Sequence, residues 1–351
     1  MNILRLTILI LMLLSTLPSG LAAIHQFTKK TGTSKANKSL GFLILTFALS
    51  LFNILLLRTS FFGAYEHLYQ VPLWFTLSFG PLLFYYVKFT LFPTYIFRGS
   101  DLKHLILPVI QLVFVFVVSF QPKEEQHQIW ENFIRPIYGP LEYSLFLIFF
   151  FVYASLSYRY IRYRLAKLRK AGFDWEREKA WSLRKLVKRL SILAAIYSFF
   201  AVTDFVAFNF LNRDLYKVDG YIYLGDLSFM LMLLWLILST YWKELTYLFQ
   251  DKSQSTDFQM FKLMFEEEKW HRNAAFTPLW AALKFKTSLS KIKQLIQKNT
   301  TQSWQNWLDD HRIQDAKKLL QYPKADKDLI TFLTGFHSRM HFMKKMKQRE
   351  E

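Results

Sequence analysis

Cysteine is absent from the 351 residues of this chain. Disulfides, thiolate metal ligands and cysteine nucleophiles are therefore excluded, and cysteine usage gives no compartment. Acidic residues are scarce as well: 26 Asp and Glu stand against 45 Lys and Arg, a formal charge of +19. Such an excess fits anionic lipid headgroups, nucleic acid, or the basic loops of a membrane protein. HExxH, GxSxG and Walker-type loops are missing, so enzyme chemistry has little support. No proton-relay series, broken-helix pair or inverted repeat points to a transporter. We expect no enzyme, no cofactor and no metal site.

What the chain has instead is apolar sequence, 52% of it, gathered in blocks up to about Trp242. A bilayer core about 30 Å thick takes roughly 20 apolar residues of helix to cross. Seven stretches qualify: Leu6–Ile24, Leu40–Leu57, Val71–Phe92, His104–Phe120, Leu141–Tyr158, Leu190–Leu211 and Tyr221–Trp242. Trp74, Tyr85, Tyr95, Tyr160, Tyr163 and Trp242 lie near their ends, as in the aromatic belts of headgroup boundaries.

Charge placement orients the spans. Loops 25–39, 93–103 and 159–189 hold 18 Lys and Arg, while 58–70, 121–140 and 212–221 hold 5. Cytoplasmic loops carry the excess, so the N-terminus is expected outside and the C-terminus in the cytoplasm. Lys88, near the inner end of the third span, fits by snorkelling to the headgroups. Arg5, the apolar run after it and the small residues 18–23 also resemble a cleavable signal peptide. That alternative leaves six spans and inverts the charge asymmetry.

Three acids fall inside spans: Glu142, Asp204 and Asp226. An ionisable residue at membrane depth is a site hypothesis by default. The expected topology puts all three in the outer half, as candidate lining of one ligand pocket. The competing reading is interfacial wetting or bonding between helices. In the fifth connection, residues 158–170 read as a helical continuation of the fifth span, stopped at Ala171-Gly172. A second basic helix runs from Trp175 into the sixth span, and anionic lipid is an expected partner.

From Lys243 on the composition turns polar, with 20 basic and 13 acidic residues. Asp251–Thr256 reads as a linker, and Phe258–Trp270 as an amphipathic helix. Short helical patterns between tight polar breaks follow, each too short to stand alone. Residues 303–320, Ser-Trp-Gln-Asn-Trp-Leu-Asp-Asp-His-Arg-Ile-Gln-Asp-Ala-Lys-Lys-Leu-Leu, carry an apolar stripe. Fifteen residues later Gly335-Phe336-His337-Ser338-Arg339 opens a last basic helix. Gly335 suits a turn with positive φ, and Ser338 suits an N-cap.

Phe276–Lys347 resembles the DNA-binding domain of the AraC/XylS transcription activators, on the Arg312-Ile313, Ala316-Lys317 and Gly335-Phe336 pattern above all. That resemblance implies two helix-turn-helix units joined by a long helix. Thr301 stands where the family has glycine, and Met340 and His341 where it has small polar residues. It implies base contacts from Ser290, Lys291 and Gln294 in the first unit, and from His337, Arg339 and His341 in the second. Lys286, Lys293, Lys344, Lys345 and Lys347 are then the phosphate contacts. His337 and His341 have metal-ligand spacing but lack a third ligand.

The expected fold class is therefore all-α. A seven-helix transmembrane bundle (1–245) leads through a juxtamembrane linker and helix (246–275) to a double helix-turn-helix tail (276–351). The expected function is a transcription regulator in a bacterial inner membrane, binding double-stranded DNA, with an unknown signal ligand and a possible homodimer. The rivals are a seven-helix receptor whose tail binds a protein, and a transporter or lipid enzyme with an accessory tail.

Overall fold

The computed structural model describes residues 3–29, 33–59, 73–92, 95–169, 174–213, 215, 218, 220–248, 257–321 and 327–348. Among these residues every regular element is helical. The first two-thirds are built on α1 (Ile3–Thr28), α2 (Ser34–Arg58), α3 (Phe79–Leu91), α4 (Ile106–Ser119), α5 (Gly139–Arg169), α6 (Asp174–Leu211) and α7 (Tyr221–Leu248). A short helix, Lys123–Ile129, and a π-helical stretch, Trp130–Tyr138, lead into α5. Six of the described stretches, those of α1, α2, α4, α5, α6 and α7, are long and apolar enough to cross a membrane. The chain is a multi-pass membrane protein.

The stretch expected to span at 71–92 is the exception. Its helix is the 13-residue α3, preceded by a 3-10 turn at Thr76–Ser78. Thirteen residues rise ~20 Å, short of a bilayer core about 30 Å thick. Proline explains the shortening. Pro81 has no N–H to donate to Leu77, so an α-helix begins no more than a turn before it. Pro93 disfavours helical backbone at Phe92, which caps α3 with a ψ of 76°. A helix enclosed by protein needs no lipid-matched length, and ten of the 13 residues are buried. The Phe79 ring stacks on Phe47 at 3.9 Å and meets Phe146 and Phe229 at 5.8 and 6.0 Å, in the centre of the bundle.

Packing runs in a ring, α1 on α2, then α3, α5, α6 and α7, which returns to α1. α4 stands outside it, against the turns at Thr76–Ser78 and Gly99–Leu105. It exposes Ile106, Val109, Ile110, Val113 and Phe116, the surface expected of a helix facing lipid tails. Contacts between helix ends fix direction. Lys35 Nζ donates to the Tyr95 carbonyl at 2.9 Å, the Phe92 and Tyr160 rings lie 6.1 Å apart, and the Tyr241 hydroxyl donates to the Ala22 carbonyl at 3.0 Å. The connections after α1, α3 and α5 thus share one end of the bundle with the end of α7, and these are the basic ones.

Lys88 does not snorkel. It is 5% exposed, donates to Asp101 Oδ1 at 3.0 Å and lies 3.8 Å over the Tyr95 ring. Tyr85 and Tyr95, expected at the headgroups, turn inward: their hydroxyls donate to the Asp101 carbonyl and carboxylate at 2.6 and 2.7 Å. Tyr163 and Trp242 are exposed as a belt requires. α5 and α6 have 31 and 38 residues, rising ~46 and ~57 Å, so both project well past a membrane core. The expected helical continuation of the fifth span is present to Arg169. Ala171-Gly172 and Asp251–Thr256 lie outside the described residues.

The tail contains α8 (Phe258–Glu267), α9 (Pro278–Lys284), α10 (Leu289–Thr300), α11 (Trp304–Leu320), α12 (Lys327–Leu333) and α13 (Arg339–Lys347). Five of these start on a side-chain cap: Asp257, Thr277, Ser288, Ser303 and Ser338 each accept from the backbone N–H three residues on. Each cap stabilises its short helix by ~1 kcal/mol. Phe261, Phe265 and Trp270 are buried with Phe276, Ile292, Ile296, Trp304 and Trp307. The helix read as juxtamembrane therefore belongs to the core of the tail, and that core reaches back to Phe258 rather than starting at 276. A second core joins Ile313, Ala316, Ile330, Phe336, Phe342 and Met346.

Candidate nucleic-acid interface

In the first helix pair, α9 and α10, the connection turns on Lys286, whose φ is 46°. The Thr287 N–H then donates to the Ala282 carbonyl at 3.0 Å, and Ser288 caps α10 by accepting from the Lys291 N–H at 3.2 Å. Ile292 and Ile296 are buried beneath α10, which rotates Ser290, Lys291, Lys293 and Gln294 into solvent. Together these four expected residues form one exposed face at the helix start. α10 has no acidic residue and carries Lys291, Lys293 and Lys298. Its N-terminal dipole and its side chains therefore attract anions together. It ends on Thr301 with φ 57°, the left-handed position that glycine takes most readily.

The joining helix α11 holds the tail together through polar groups that its apolar stripe does not announce. Arg312 is 1% exposed; its Nε donates to the His271 carbonyl at 2.8 Å and its Nη2 to the Asn273 carbonyl at 3.0 Å. Burial pushes its guanidinium down to about 10. Asp315 accepts from Arg272 Nε and Nη2 at 2.6 and 2.8 Å and lies 3.2 Å from His271 Nε2. Burial alone would raise that carboxyl, but these two partners hold it well below the usual range. The turn Trp270–Arg272 is thus clamped along α11.

In the second helix pair, α12 and α13, Gly335 has φ 80° and Ser338 accepts from the His341 N–H at 3.2 Å, as expected of both. Phe342 and Met346 are buried, so α13 turns Arg339, Met340, Met343 and Lys344 outward. Met340 is 81% exposed. Arg339 Nη1 lies 3.2 Å from Asp328 Oδ1, both groups in solvent. The other expected contacts differ. His341 Nε2 and Lys345 Nζ lie 3.9 and 3.5 Å from Asp309 Oδ2, a carboxylate buried on α11. His337 is half-buried rather than presented. Burial first, then Arg312, His341 and Lys179, push its imidazole down to about 4. His337, His341 and Lys345 are therefore turned toward the protein, and Met340 stands in their place on the outer face.

The three membrane acids have separate surroundings. Glu142, 7% exposed, accepts from Gln111 Nε2 at 2.6 Å and from the Thr76 hydroxyl, with Tyr138 and Trp74 beside it. Asp226 is held bidentately by Arg58, at 2.7 and 3.2 Å. Asp204 is half-buried along α6. In the sequence Arg58 reads only as a loop cation, and nothing local links it to a residue 168 positions away. No family model matches this chain, and neither a curated protein nor a solved structure matches it.

Proposed function

We propose that this chain is a membrane-anchored transcription regulator that binds double-stranded DNA through its tail and responds to a signal through its membrane part. The supporting observation is α10: a capped helix after a tight turn, with Ser290, Lys291, Lys293 and Gln294 exposed at its start. A helix so presented suits a major groove, with lysines near phosphates and Gln294 near base edges. The two helix pairs about α11 supply the double helix-turn-helix arrangement. On this reading the basic end of the bundle, where the tail begins, faces the cytoplasm of a bacterium. α3, packed between α2 and α5 as one link of the ring, completes a shortened seventh pass.

The test uses the intact protein in lipid nanodiscs with labelled genomic fragments. Binding is expected to weaken steeply with salt and to vanish in Lys291→Glu plus Lys293→Glu. No binding at low salt by the unaltered protein discards the proposal. A second reading, a tail that docks a protein, is favoured by one observation: the exposed methionines Met340 and Met343. Methionine-rich faces adapt to protein surfaces. Under that reading Met340→Ser plus Met343→Ser abolishes partner capture and leaves nothing bound to DNA.

A further inference from the structure

We infer that the second helix pair, α12–α13, is a docking unit that holds the tail against the projecting end of α5, beside α6, leaving α10 as the reading helix. The docking half stands on the contacts of Arg164; the reading half rests on the DNA-binding proposal above.

Arg164, on the part of α5 beyond the membrane core, carries the contact. Its guanidinium carbon lies 5.1 Å from the Phe332 ring on α12 and 5.5 Å from the Phe92 ring at the end of α3. One cation therefore bridges an aromatic ring of the tail and one of the bundle. Guanidinium suits such a position because it is planar and weakly hydrated. On α6, Lys179 is close enough to His337 to act on its charge. The projecting end of α5 thus meets α12, with the charge of α6 felt at the start of α13.

Three polar groups of α13 already face acids of the tail, while Lys344 stays exposed. His341 and Lys345 face Asp309, and Arg339 faces Asp328. The four polar groups at the start of α10 are exposed instead. α9 rests on α7, which fixes the first pair without covering that face. With one reading helix per copy, a second copy is needed to read two successive grooves.

The chain's lack of cysteine allows a clean test. Two forms of the full chain are made, Arg164→Cys with Phe332→Cys, and Lys179→Cys with His337→Cys. Both carry a protease site inserted within residues 251–256. In membranes, a short bis-maleimide is expected to keep the tail attached after cleavage in both forms. Arg164→Cys with Lys298→Cys, on α10, is expected to release it. The second form keeps Arg164, so its result survives any loss of docking caused by removing that residue. Release in both test forms overturns the inference, as does equal retention in the Lys298→Cys form. For reading, Lys291→Ala with Gln294→Ala is expected to weaken specific DNA binding at least ~10-fold, the effect of losing one good base contact with a phosphate contact. Met340→Ser with Met343→Ser, on the outer face of α13, is expected to leave sequence preference unchanged. Loss of preference in that form overturns the reading half. Retention of the tail with no DNA bound by any form retires the DNA proposal and upholds the docking.

Discussion

The carbonyl oxygen of His271 fills the place where a side chain at Gly335 would begin: a Cβ there would lie 2.5 Å from it. The same carbonyl accepts from Arg312. Three distant segments, the turn at 270–272, the joining helix and the α12–α13 turn, thus meet around one peptide unit.

Gly335→Ala is expected to loosen the second helix pair. Positive φ alone costs a non-glycine residue ~1–2 kcal/mol, and the backbone contact adds to it. Hydrogen exchange over 327–348 in the intact protein checks this. Gly99, with open space around it, serves as the control; protection unchanged by Gly335→Ala would refute the packing described.

Thr301 holds φ 57° with a side chain on the residue. Thr301→Gly removes the left-handed penalty, less the entropy of a freer unfolded chain, and is expected to stabilise the tail by ~0.5–1 kcal/mol. A raised unfolding temperature for the first helix pair is the expected reading, and a lowered one contradicts the cap.

Acid is expected to weaken the second helix pair through His337. Its folded value of about 4 lies below its ordinary 6.5, so the unfolded chain binds the proton more tightly. The stability it contributes is whole above pH ~6.5 and is lost as pH falls from there toward 4. Burial shifts His311 and His341 the same way. In His337→Gln the decline of unfolding temperature between pH 6.5 and 4 should be shallower. An identical decline would remove His337 from the account.

Asp226→Asn leaves the Arg58 guanidinium without its carboxylate at a part-buried site and should lower the thermal stability of the detergent-solubilised protein. Arg58→Asp combined with Asp226→Arg should recover part of that loss, because the pair is restored with its signs exchanged. A double variant no better than the worse single one would mean the two residues act separately.

Local features of the fold were legible in the sequence. Apolar runs and basic loops marked six helices and the shared basic end, since both depend on short stretches of composition. Ser338 and Gly335 were legible because a cap and a left-handed turn are set by neighbouring residues. The third apolar run misled: Pro81 and Pro93 shorten its helix, and hydropathy does not count missing N–H groups. The burial of Lys88 is not legible locally, because its partner Asp101 belongs to the following connection. That His341 and Lys345 face Asp309 is not legible in the sequence, because it depends on how α11 and α13 meet, which helical periodicity does not encode. The start of the tail was missed for a related reason. Glu266–Glu268 gave α8 a polar look, while its buried face, Phe261 and Phe265, takes meaning from Trp304 and Trp307.

Eight residues separate the end of α7 at Leu248 from the cap Asp257. Even drawn out, such a segment reaches only ~30 Å. On the DNA-binding reading the tail cannot leave to search a chromosome. The genome has to be carried to a fixed reader, so a target near a tethered or membrane-transcribed locus would be found far more often than the same sequence elsewhere.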